Sequence, residues 1–329
     1  MDPVSYKDLI RDHDSKTFRE LSLEVFRYQA RENAVYREYL RILGSRSGRV
    51  SEPEDIPFLP IEFFRNHRVV TGDREPALVF ESSGTTGAAT SRHWVADPAL
   101  YEESLLRGFH RVFGDPRGMC ILALLPSYLE RGGSSLVHMM KVLMDAGGHP
   151  DNGFYLDDFD RLSGVLRQRN GDGTPTLLVG VSFALLDLAE SHSQVLGENI
   201  TLVETGGMKG RRTELIRSEL HAILGRAFGK ERIFSEYGMT ELLSQAWSTG
   251  GGLFQAPPWL KVLIRDPNDP FGYVPEGRTG GINLIDLANL HSCAFLATGD
   301  LGKIHADGRF EVLGRFDHAT VRGCNLLVP

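Results

Sequence analysis

"TLLVGVSFALLDLAESHSQVLGENITLVET", residues 176–205, decides the fold class of this chain. The apolar runs at 176–180 and 200–205 have the length of buried strands, and residues 182–191 between them read as a helix. A strand, a helix and a second strand in this order indicate parallel neighbours joined by a right-handed crossover. The stretch therefore predicts an α/β fold built on a parallel sheet.

The same alternation extends along the chain in both directions. A further buried strand is predicted at 119–125, and helices are predicted at 17–43, 98–113, 134–146, 159–169 and 211–228. After Tyr237 the pattern changes, because strand-like runs follow one another from Leu260 onward without helices between them. "ADGR" at 306–309 predicts a type I′ hairpin turn, since Asp-Gly tolerates positive φ.

These patterns predict a large α/β domain with parallel and mixed sheets flanked by helices. It spans 51–315 and includes a small β-rich subdomain at about 253–315. A helical segment at 1–50 precedes it, and a short hinge and tail at 316–329 follow it.

Composition excludes several classes of protein. The chain has 329 residues and a formal net charge of -7, which argues against a nucleic-acid partner. No apolar run reaches the roughly 18–20 residues of a membrane span, and the first residues lack the pattern of a signal peptide. Three cysteines do not make a disulfide framework. We therefore expect a cytoplasmic protein without a membrane span.

"FESSGTTGAATSRH", residues 80–93, places hydroxyls and glycines directly after an apolar, strand-like segment. Glycines let the backbone approach a polyphosphate closely, and hydroxyls donate to its oxygens. The candidate phosphate-binding residues are Ser82, Ser83, Gly84, Thr85, Thr86 and Gly87. Taken alone, the segment also fits a flexible loop without a ligand.

"SEYGMTELLSQAW", residues 235–247, combines an aromatic ring, a hydroxyl and a carboxylate. Tyr237 offers a flat face for a base, and Thr240 can donate to a phosphate oxygen. Glu241 can ligate Mg²⁺, which takes one or two carboxylates together with phosphate oxygens. The alternative is a strand that leads into an ordinary helix N-terminus, with Thr240 as the cap.

"ATGDLGKIHADGRFEVLGRFDH", residues 297–318, supplies a third candidate group. Asp300 follows a predicted strand, where a carboxylate can accept hydrogen bonds from ribose hydroxyls. Arg315 can reach the same ribose or a phosphate. The alternative is a β-meander in which Gly299, Asp300 and Gly302 only form turns.

In this order the motifs resemble the signature of the adenylate-forming superfamily of acyl and aryl CoA ligases, over residues 80–318. The resemblance implies ATP and Mg²⁺ as cofactors, with the first loop on the β- and γ-phosphates and Tyr237 on adenine. It also implies Thr240 on the α-phosphate, Glu241 on Mg²⁺ and Asp300 on ribose. The remaining nucleotide-binding residues that we predict are Gly206, Gly207, Lys209, Glu236, Gly238, Met239 and Arg315. Lys209 also fits a solvated helix start.

Four segments resemble a narrower family, the acyl-protein synthetases of the LuxE type. They are "LPIEFFRNH" (59–67), "LPSYLERGGSSLVHMM" (125–140), "GGMKGRR" (206–212) and "VRGCNLL" (321–327). This resemblance implies a cysteine near the C-terminus as the acyl acceptor, and Cys324 matches that position. Arg322 nearby favours its thiolate.

The other cysteines and the end of the chain complete this picture. Cys120 and Cys293 lie in apolar runs and are predicted to be core residues. Cys324 also fits a spectator thiol in a tail. Only a short tail follows Asp317, so the C-terminal lid domain of CoA ligases, which carries a catalytic lysine, is not expected here.

The sequence therefore predicts an acid–thiol ligase in which Thr240, Glu241 and Cys324 are the catalytic residues. A carboxylic acid, by resemblance a fatty acid, is activated as an acyl-adenylate and transferred to Cys324. A reductase or transferase is the expected acyl-accepting partner. Two alternatives stay open: an enzyme that uses CoA or another small acceptor, and a weakly active nucleotide-binding scaffold.

Overall fold

The computed structural model describes residues 6–44, 49–82, 90–126, 133–206, 212 and 215–315. The helices in these ranges are α1 (Tyr6–Leu9), α2 (Ser15–Glu32), α3 (Ala34–Ile42), α4 (Phe63–Asn66), α5 (Pro98–Phe113), α6 (Ser135–Gly147), α7 (Phe159–Asp172), α8 (Ser182–Ser191) and α9 (Arg217–Phe228). The strands are β1 (Leu59–Pro60), β2 (Leu78–Glu81), β3 (Arg92–Val95), β4 (Cys120–Leu124), β5 (Gly153–Phe154), β6 (Thr176–Val181), β7 (Ile200–Thr205), β8 (Phe234–Tyr237), β9 (Ala246–Ser248), β10 (Phe254–Gln255), β11 (Leu260–Arg265), β12 (Gly280–Asp286), β13 (Phe295–Ile304) and β14 (Phe310–Arg315).

One mixed sheet of 12 strands organises the fold, in the order β11-β12-β13-β14-β10-β9-β8-β7-β6-β4-β5 with β1 beside β13. Strands β5, β4, β6, β7 and β8 run parallel to one another. From β8 to β11 every neighbouring pair is antiparallel. The predicted α/β class is confirmed, and β9 and β10 join the parallel body and the β-rich part into one sheet.

Helices cover both faces of the parallel half. On one face Phe109 of α5 packs edge-on against Trp247 of β9, with ring centroids 6.2 Å apart. On the other face Nε2 of His221 on α9 lies 3.4 Å from Oε1 of Glu204 on β7. Strands covered on both faces are apolar throughout, which explains the continuous hydrophobic runs of β4 and β6.

Helix boundaries follow local capping chemistry where the sequence predicted them well. The Asp97 carboxylate accepts a hydrogen bond from the Ala99 N–H (3.1 Å), and Pro98 takes the first helical position of α5. The helix ends at Gly114, whose φ of 82° suits a glycine. The predicted helix at 182–191 also agrees with α8.

The single helix predicted at 17–43 is wrong, because Asn33 divides it into α2 and α3. Asn33 has an extended backbone (φ -93°, ψ 109°), and its side chain caps α3 by accepting from the Tyr36 N–H. Its amide also donates to Thr71 Oγ1 and to the Ser292 carbonyl, at 3.1 and 2.9 Å. These long-range bonds compensate for the interrupted helix.

The start of the predicted helix at 211–228 is also wrong. α9 begins only at Arg217, and Ile216 is extended (ψ 149°). Arg212 lies outside the helix and forms ion pairs with Asp187 and Glu190 of α8. Arg212, which was expected to belong to α9, therefore connects to α8 instead.

The β13–β14 hairpin forms as predicted, but the type of its turn and the number of residues in the turn differ from the prediction. The Gly308 N–H donates to the His305 carbonyl (2.9 Å), and Gly308 has φ 80° whereas Asp307 does not have a positive φ. This is the three-residue turn with a left-handed glycine, not type I′. Asp300 lies inside β13 rather than after a strand, because β13 continues to Ile304 past a register shift at Leu301.

Candidate active site

Polar side chains gather where the parallel strands end. Thr205 closes β7, and Glu236 and Tyr237 close β8. The carboxyl ends of parallel strands form the crevice in which open α/β sheets bind ligands. The segment after β8, residues 238–245, is a loop. The alternative of a helix N-terminus capped by Thr240 is therefore wrong.

Three residues predicted to bind the nucleotide are in contact in the structure. The Tyr237 hydroxyl donates to Asp300 Oδ2 (2.9 Å), and Arg315 Nη1 donates to Asp300 Oδ1 (3.2 Å). Tyr237 and Asp300 are each 8% exposed. The edges of Phe254 and Phe310 pack against the Tyr237 ring, with centroids at 5.9 and 5.7 Å. Strands β8, β13 and β14 thus build one cluster.

Burial sets the protonation of this cluster. It raises the pKa of Asp300, while the Arg315 charge and the hydrogen bond from Tyr237 oppose that rise. Burial raises the pKa of Tyr237 well above its usual value, and the neighbouring Asp300 carboxylate adds to the rise. Tyr237 is therefore a neutral donor, and Asp300 is an acceptor whose exposed partner, Arg315, can exchange with a ligand.

The β2–β3 hairpin holds the ends of the predicted phosphate loop together. The Ser82 N–H donates to the Ser91 carbonyl (3.0 Å), and Ser82 Oγ accepts from the Ser91 N–H (2.9 Å). His93 of β3 is fully buried, and its Nδ1 donates to the Thr240 carbonyl (2.8 Å). Burial lowers the pKa of His93 to about 4, so the ring is neutral. His93 thus fastens the hairpin to the loop after β8.

Glu241, the predicted Mg²⁺ ligand, is a buried carboxylate next to this hairpin. Burial raises its pKa, whereas the side-chain hydrogen bond with Ser91 and the charge of Arg315 lower it. Its carbonyl accepts from the Asn289 amide (2.8 Å), which fixes the backbone. Among the described residues no group of three or more His, Cys, Asp or Glu side chains converges on a metal site. One carboxylate suits Mg²⁺ that is otherwise held by phosphates and water.

Asp286 holds the loop after Glu241 in place. Its Oδ2 accepts from the N–H groups of Leu243 and Ser244 (2.9 and 3.1 Å), and Oδ1 accepts from Ser244 Oγ (2.6 Å). Burial raises the pKa of Asp286, and these hydrogen bonds oppose the rise. The loop that carries Thr240 and Glu241 is therefore rigidly supported by β12.

Glu236 points away from the Tyr237 cluster. Its Oε2 accepts from Thr205 Oγ1 (2.5 Å), and Oε1 lies against Gly238, where an added Cβ would collide with it. Burial raises the pKa of Glu236 to about 7, and the nearby Glu204 charge contributes to the rise. Glu236 is paired with Trp247 of β9, whose ring packs against Phe109 of α5, so Glu236 lies on the α5 side of the sheet. Its charge also contributes to the raised pKa of Tyr101 on the same helix.

The other predicted residues divide into two groups. Gly206 follows β7 with φ 69°, and its carbonyl accepts from Ser182 Oγ (3.0 Å). Met239 is partly buried against the core, and its carbonyl accepts from the Leu242 N–H (3.1 Å). Outside the described residues lie Ser83, Gly84, Thr85, Thr86, Gly87, Gly207, Lys209 and Cys324. Cys120 and Cys293 are buried, as predicted.

Sequence reasoning missed three residues around the site: His93, Glu204 and Asp286. Glu204 and Asp286 each interrupt an apolar run, at 200–205 and 281–287, and a buried acid in such a run is the signal that was available. His93 gave no such signal, because a lone histidine between two strand-like segments has no distinctive spacing.

A surface cavity of about 880 Å³ lies elsewhere, between α5 and the chain near Arg11. Predicted site residues do not line it. Its arginines are already paired, for example Arg111 with Asp12 and Arg117 with Asp115. We place the site at the sheet edge because the polar residues converge there.

Solved structures resemble this fold. ATP-bound MatB from Rhodopseudomonas palustris matches with a TM-score of 0.56 and 18% identity, over 74% of this chain and 50% of that one. An open conformation of 2-hydroxyisobutyryl-CoA ligase in complex with 2-HIB-AMP and CoA matches with a TM-score of 0.65 and 15% identity, over 92% and 70%. The chain thus spans about half the length of MatB.

These likenesses establish the fold, a large mixed sheet flanked by helices. No protein-family model matches the sequence. No curated protein matches it either. No helix among the described residues combines the length and apolar character that a membrane crossing requires.

Proposed function

We propose that this protein activates a carboxylic acid with ATP, forming an acyl-adenylate and pyrophosphate. One observation carries the proposal: the fold brings Tyr237, Asp300 and Arg315 into contact beside the loop of Thr240 and Glu241, at the carboxyl edge of the parallel strands. Support comes from the shared fold, since the similar structures include MatB with ATP and a ligase with an acyl-AMP.

Each group has a role in this proposal. Asp300 accepts hydrogen bonds from ribose hydroxyls once the exposed Arg315 side chain moves aside, and Tyr237 borders the adenine. Residues 82–87, together with Gly206, Gly207 and Lys209, bind the phosphates. Thr240 donates to the α-phosphate, and Glu241 holds Mg²⁺, which neutralises phosphate charge.

The chemistry follows from positioning. A carboxylate oxygen of the acid attacks the α-phosphorus of ATP in line, the bond to the β-phosphate oxygen breaks, and pyrophosphate leaves. The protein contributes orientation and fixed donors where negative charge spreads. His93 and Asn289 hold the carbonyls of Thr240 and Glu241, and Asp286 holds the segment that follows them.

A second step completes the proposal. The Cys324 thiolate attacks the acyl carbonyl of the adenylate, AMP leaves, and an acyl-thioester forms on the protein. The resemblance to acyl-protein synthetases of the LuxE type supports this step, a fatty acid as substrate, and a reductase or transferase as the protein that receives the acyl group.

Pyrophosphate exchange over a panel of carboxylic acids tests the first step. We expect exchange with at least one acid, a loss of exchange in EDTA, and a fall in kcat/KM for ATP of about 10-fold or more in Asp300→Asn. Asp307→Asn, an exposed aspartate on the same hairpin, is the matched control and should leave kcat/KM unchanged. ATP binding without exchange for any acid would mean a nucleotide-binding scaffold.

Mass spectrometry tests the second step. After incubation with ATP and the best acid, we expect an acyl adduct on the peptide that contains Cys324 and none in Cys324→Ser. The buried Cys293 is the control, because Cys293→Ala should retain the adduct. Equal production of free acyl-CoA by wild type and Cys324→Ser, without an adduct, would favour the CoA alternative.

A further inference from the structure

Glu236 does not face the residues that we assign to nucleotide binding. Successive side chains of a strand point to opposite faces of the sheet. Tyr237 faces Asp300, Phe254 and Phe310, so Glu236 faces the other side, towards Tyr101 of α5. The ribose and adenine candidates and Glu236 therefore lie on opposite sides of β8.

Glu236 is partly exposed at the carboxyl end of β8, the edge at which the crevice opens. β7 and β9 flank β8 on either side. The single hydrogen bond of the Glu236 carboxylate within the described chain comes from Thr205, and a carboxylate accepts several.

No basic side chain of the described residues forms an ion pair with Glu236, whereas the neighbouring Glu204 pairs with Arg217 and His221. A carboxylate that is largely removed from water and has no cation beside it among the described residues is disfavoured in its charged form. Such a group at the edge of a crevice is typical of a binding site.

We propose that Glu236 binds a hydrogen-bond donor, a hydroxyl or an amino group, on the acyl part of the carboxylic acid substrate. The inference rests on the proposed acid activation. It differs from the sequence-based assignment of Glu236 to the nucleotide, because the side chain faces away from Tyr237 and Asp300. Glu236 is thus a specificity-determining residue, and among fatty acids an unsubstituted chain is a poorer substrate than one that carries a hydroxyl or an amino group.

Selectivity follows from desolvation. A substrate acid that carries a donor replaces the water molecules at Glu236 with its own hydrogen bond. An acid without a donor removes that water and leaves the carboxylate without a hydrogen-bond partner in its place. Sites that are built to hydrogen-bond a substrate group discriminate strongly against analogues that lack it. Gly238 makes room for the carboxylate, since a side chain at that position would collide with Oε1.

The test is pyrophosphate exchange with matched acids of equal chain length that are unsubstituted, hydroxylated or aminated near the carboxyl group. We expect wild type to prefer a substituted acid by about 10-fold or more in kcat/KM. Glu236→Gln should remove most of that preference, lowering kcat/KM for the substituted acid and raising it for the unsubstituted one, because a neutral amide of the same size is not left as an unpaired charge. Comparing kcat/KM for the amino acid with that for the hydroxy acid shows whether Glu236 prefers a cationic or a neutral donor. Glu231→Gln, an exposed glutamate just before β8, is the control.

Two results would overturn the inference alone: a wild type that prefers the unsubstituted acid, or a Glu236→Gln variant that slows all acids equally, as a merely structural residue would. Thr205→Val repeats the test if Glu236→Gln does not fold, and it should lower the same preference. Exchange with no acid at all would overturn the proposed function, and the inference with it.

Discussion

Glu204 on β7 is buried and Glu236 on β8 is partly buried, and these acids on adjacent strands face opposite sides of the sheet. Burial raises the pKa of Glu204, yet the hydrogen bond from His221 and the charge of Arg217 outweigh it, and the pKa is lowered overall. Burial raises the pKa of Glu236 to about 7, and among the described residues the hydrogen bond from Thr205 opposes that rise. The same residue type thus has opposite protonation behaviour within one sheet.

The difference teaches how to separate structural from functional acids in this fold. A buried acid that the protein neutralises itself contributes to stability, because removing it leaves other charges unpaired. A buried acid that the protein leaves unneutralised opposes folding, and a ligand can compensate it.

The largest expected effect is on Glu204. Glu204→Gln keeps an acceptor oxygen but removes the negative charge that pairs with Arg217 and His221, and we expect a loss of about 3 kcal/mol in the free energy of unfolding at pH 7. Urea denaturation measures it. Because the pKa of Glu204 is lowered, its contribution is present above the ordinary glutamate pKa and disappears as pH falls through the native value. An unchanged stability would remove the structural half of the contrast.

Glu236→Gln should have the opposite sign. With a pKa raised to about 7, the native state holds a proton that the unfolded state has released above the ordinary glutamate value of 4.5. Wild type therefore loses stability as pH rises from about 4.5 to 7. We expect the variant to be more stable by about 2 kcal/mol at pH 8, and equal below pH 4. Urea titrations at several pH values measure the difference, and a destabilised variant at pH 8 would contradict it.

Gly238→Ala tests the space around the Glu236 carboxylate. The new methyl group displaces Oε1, the end of a flexible side chain, and we expect a loss of about 1 kcal/mol in the free energy of unfolding as Glu236 changes its rotamer. In a Glu236→Ala background the same substitution should be nearly neutral. A double-mutant cycle by thermal denaturation measures the coupling, and additive effects would show that the two residues do not interact.

The smallest effects concern the Tyr237 cluster. Tyr237→Phe removes a buried hydrogen bond to Asp300 and should cost about 1 kcal/mol of unfolding free energy. Arg315→Ala should change stability by less than about 0.5 kcal/mol, because its side chain is 76% exposed. Thermal denaturation of both variants compares them. A larger loss for Arg315→Ala would mean that Arg315 has a structural role and cannot exchange readily with a ligand.

Much of the fold was readable from local pattern. The buried strands and α5 and α8 appeared at the expected places, since apolar runs and caps are short-range signals. The prediction of one helix at 17–43 was wrong because Asn33 interrupts it. The hydrogen bonds that stabilise this interruption go to Thr71 and Ser292, which are distant in the sequence. Asp307 and Gly308 gave the hairpin but not its turn type, since Asp-Gly fits more than one.

The sequence predicted which residue types form the candidate site better than it predicted how they are arranged. The motifs identified Tyr237 and Asp300 as candidates, and in the structure the Tyr237 hydroxyl lies 2.9 Å from Asp300 Oδ2. They did not reveal His93, which holds Thr240 from a strand 147 residues earlier. They also placed Glu236 with the nucleotide residues, because adjacency in sequence hides the alternation of a strand.

By itself, the sequence determined the alternation of strands and helices, the change to antiparallel strands after Tyr237, and the residues that carry polar chemistry. These features depend on neighbours within a few residues. Only the tertiary structure decided which face of β8 each polar group occupies and what neutralises it. The partners of Glu204, Glu236 and Tyr237 lie 17, 31 and 63 residues away. The pKa of a buried acid depends on such partners, because charges and hydrogen bonds act through space and not along the chain.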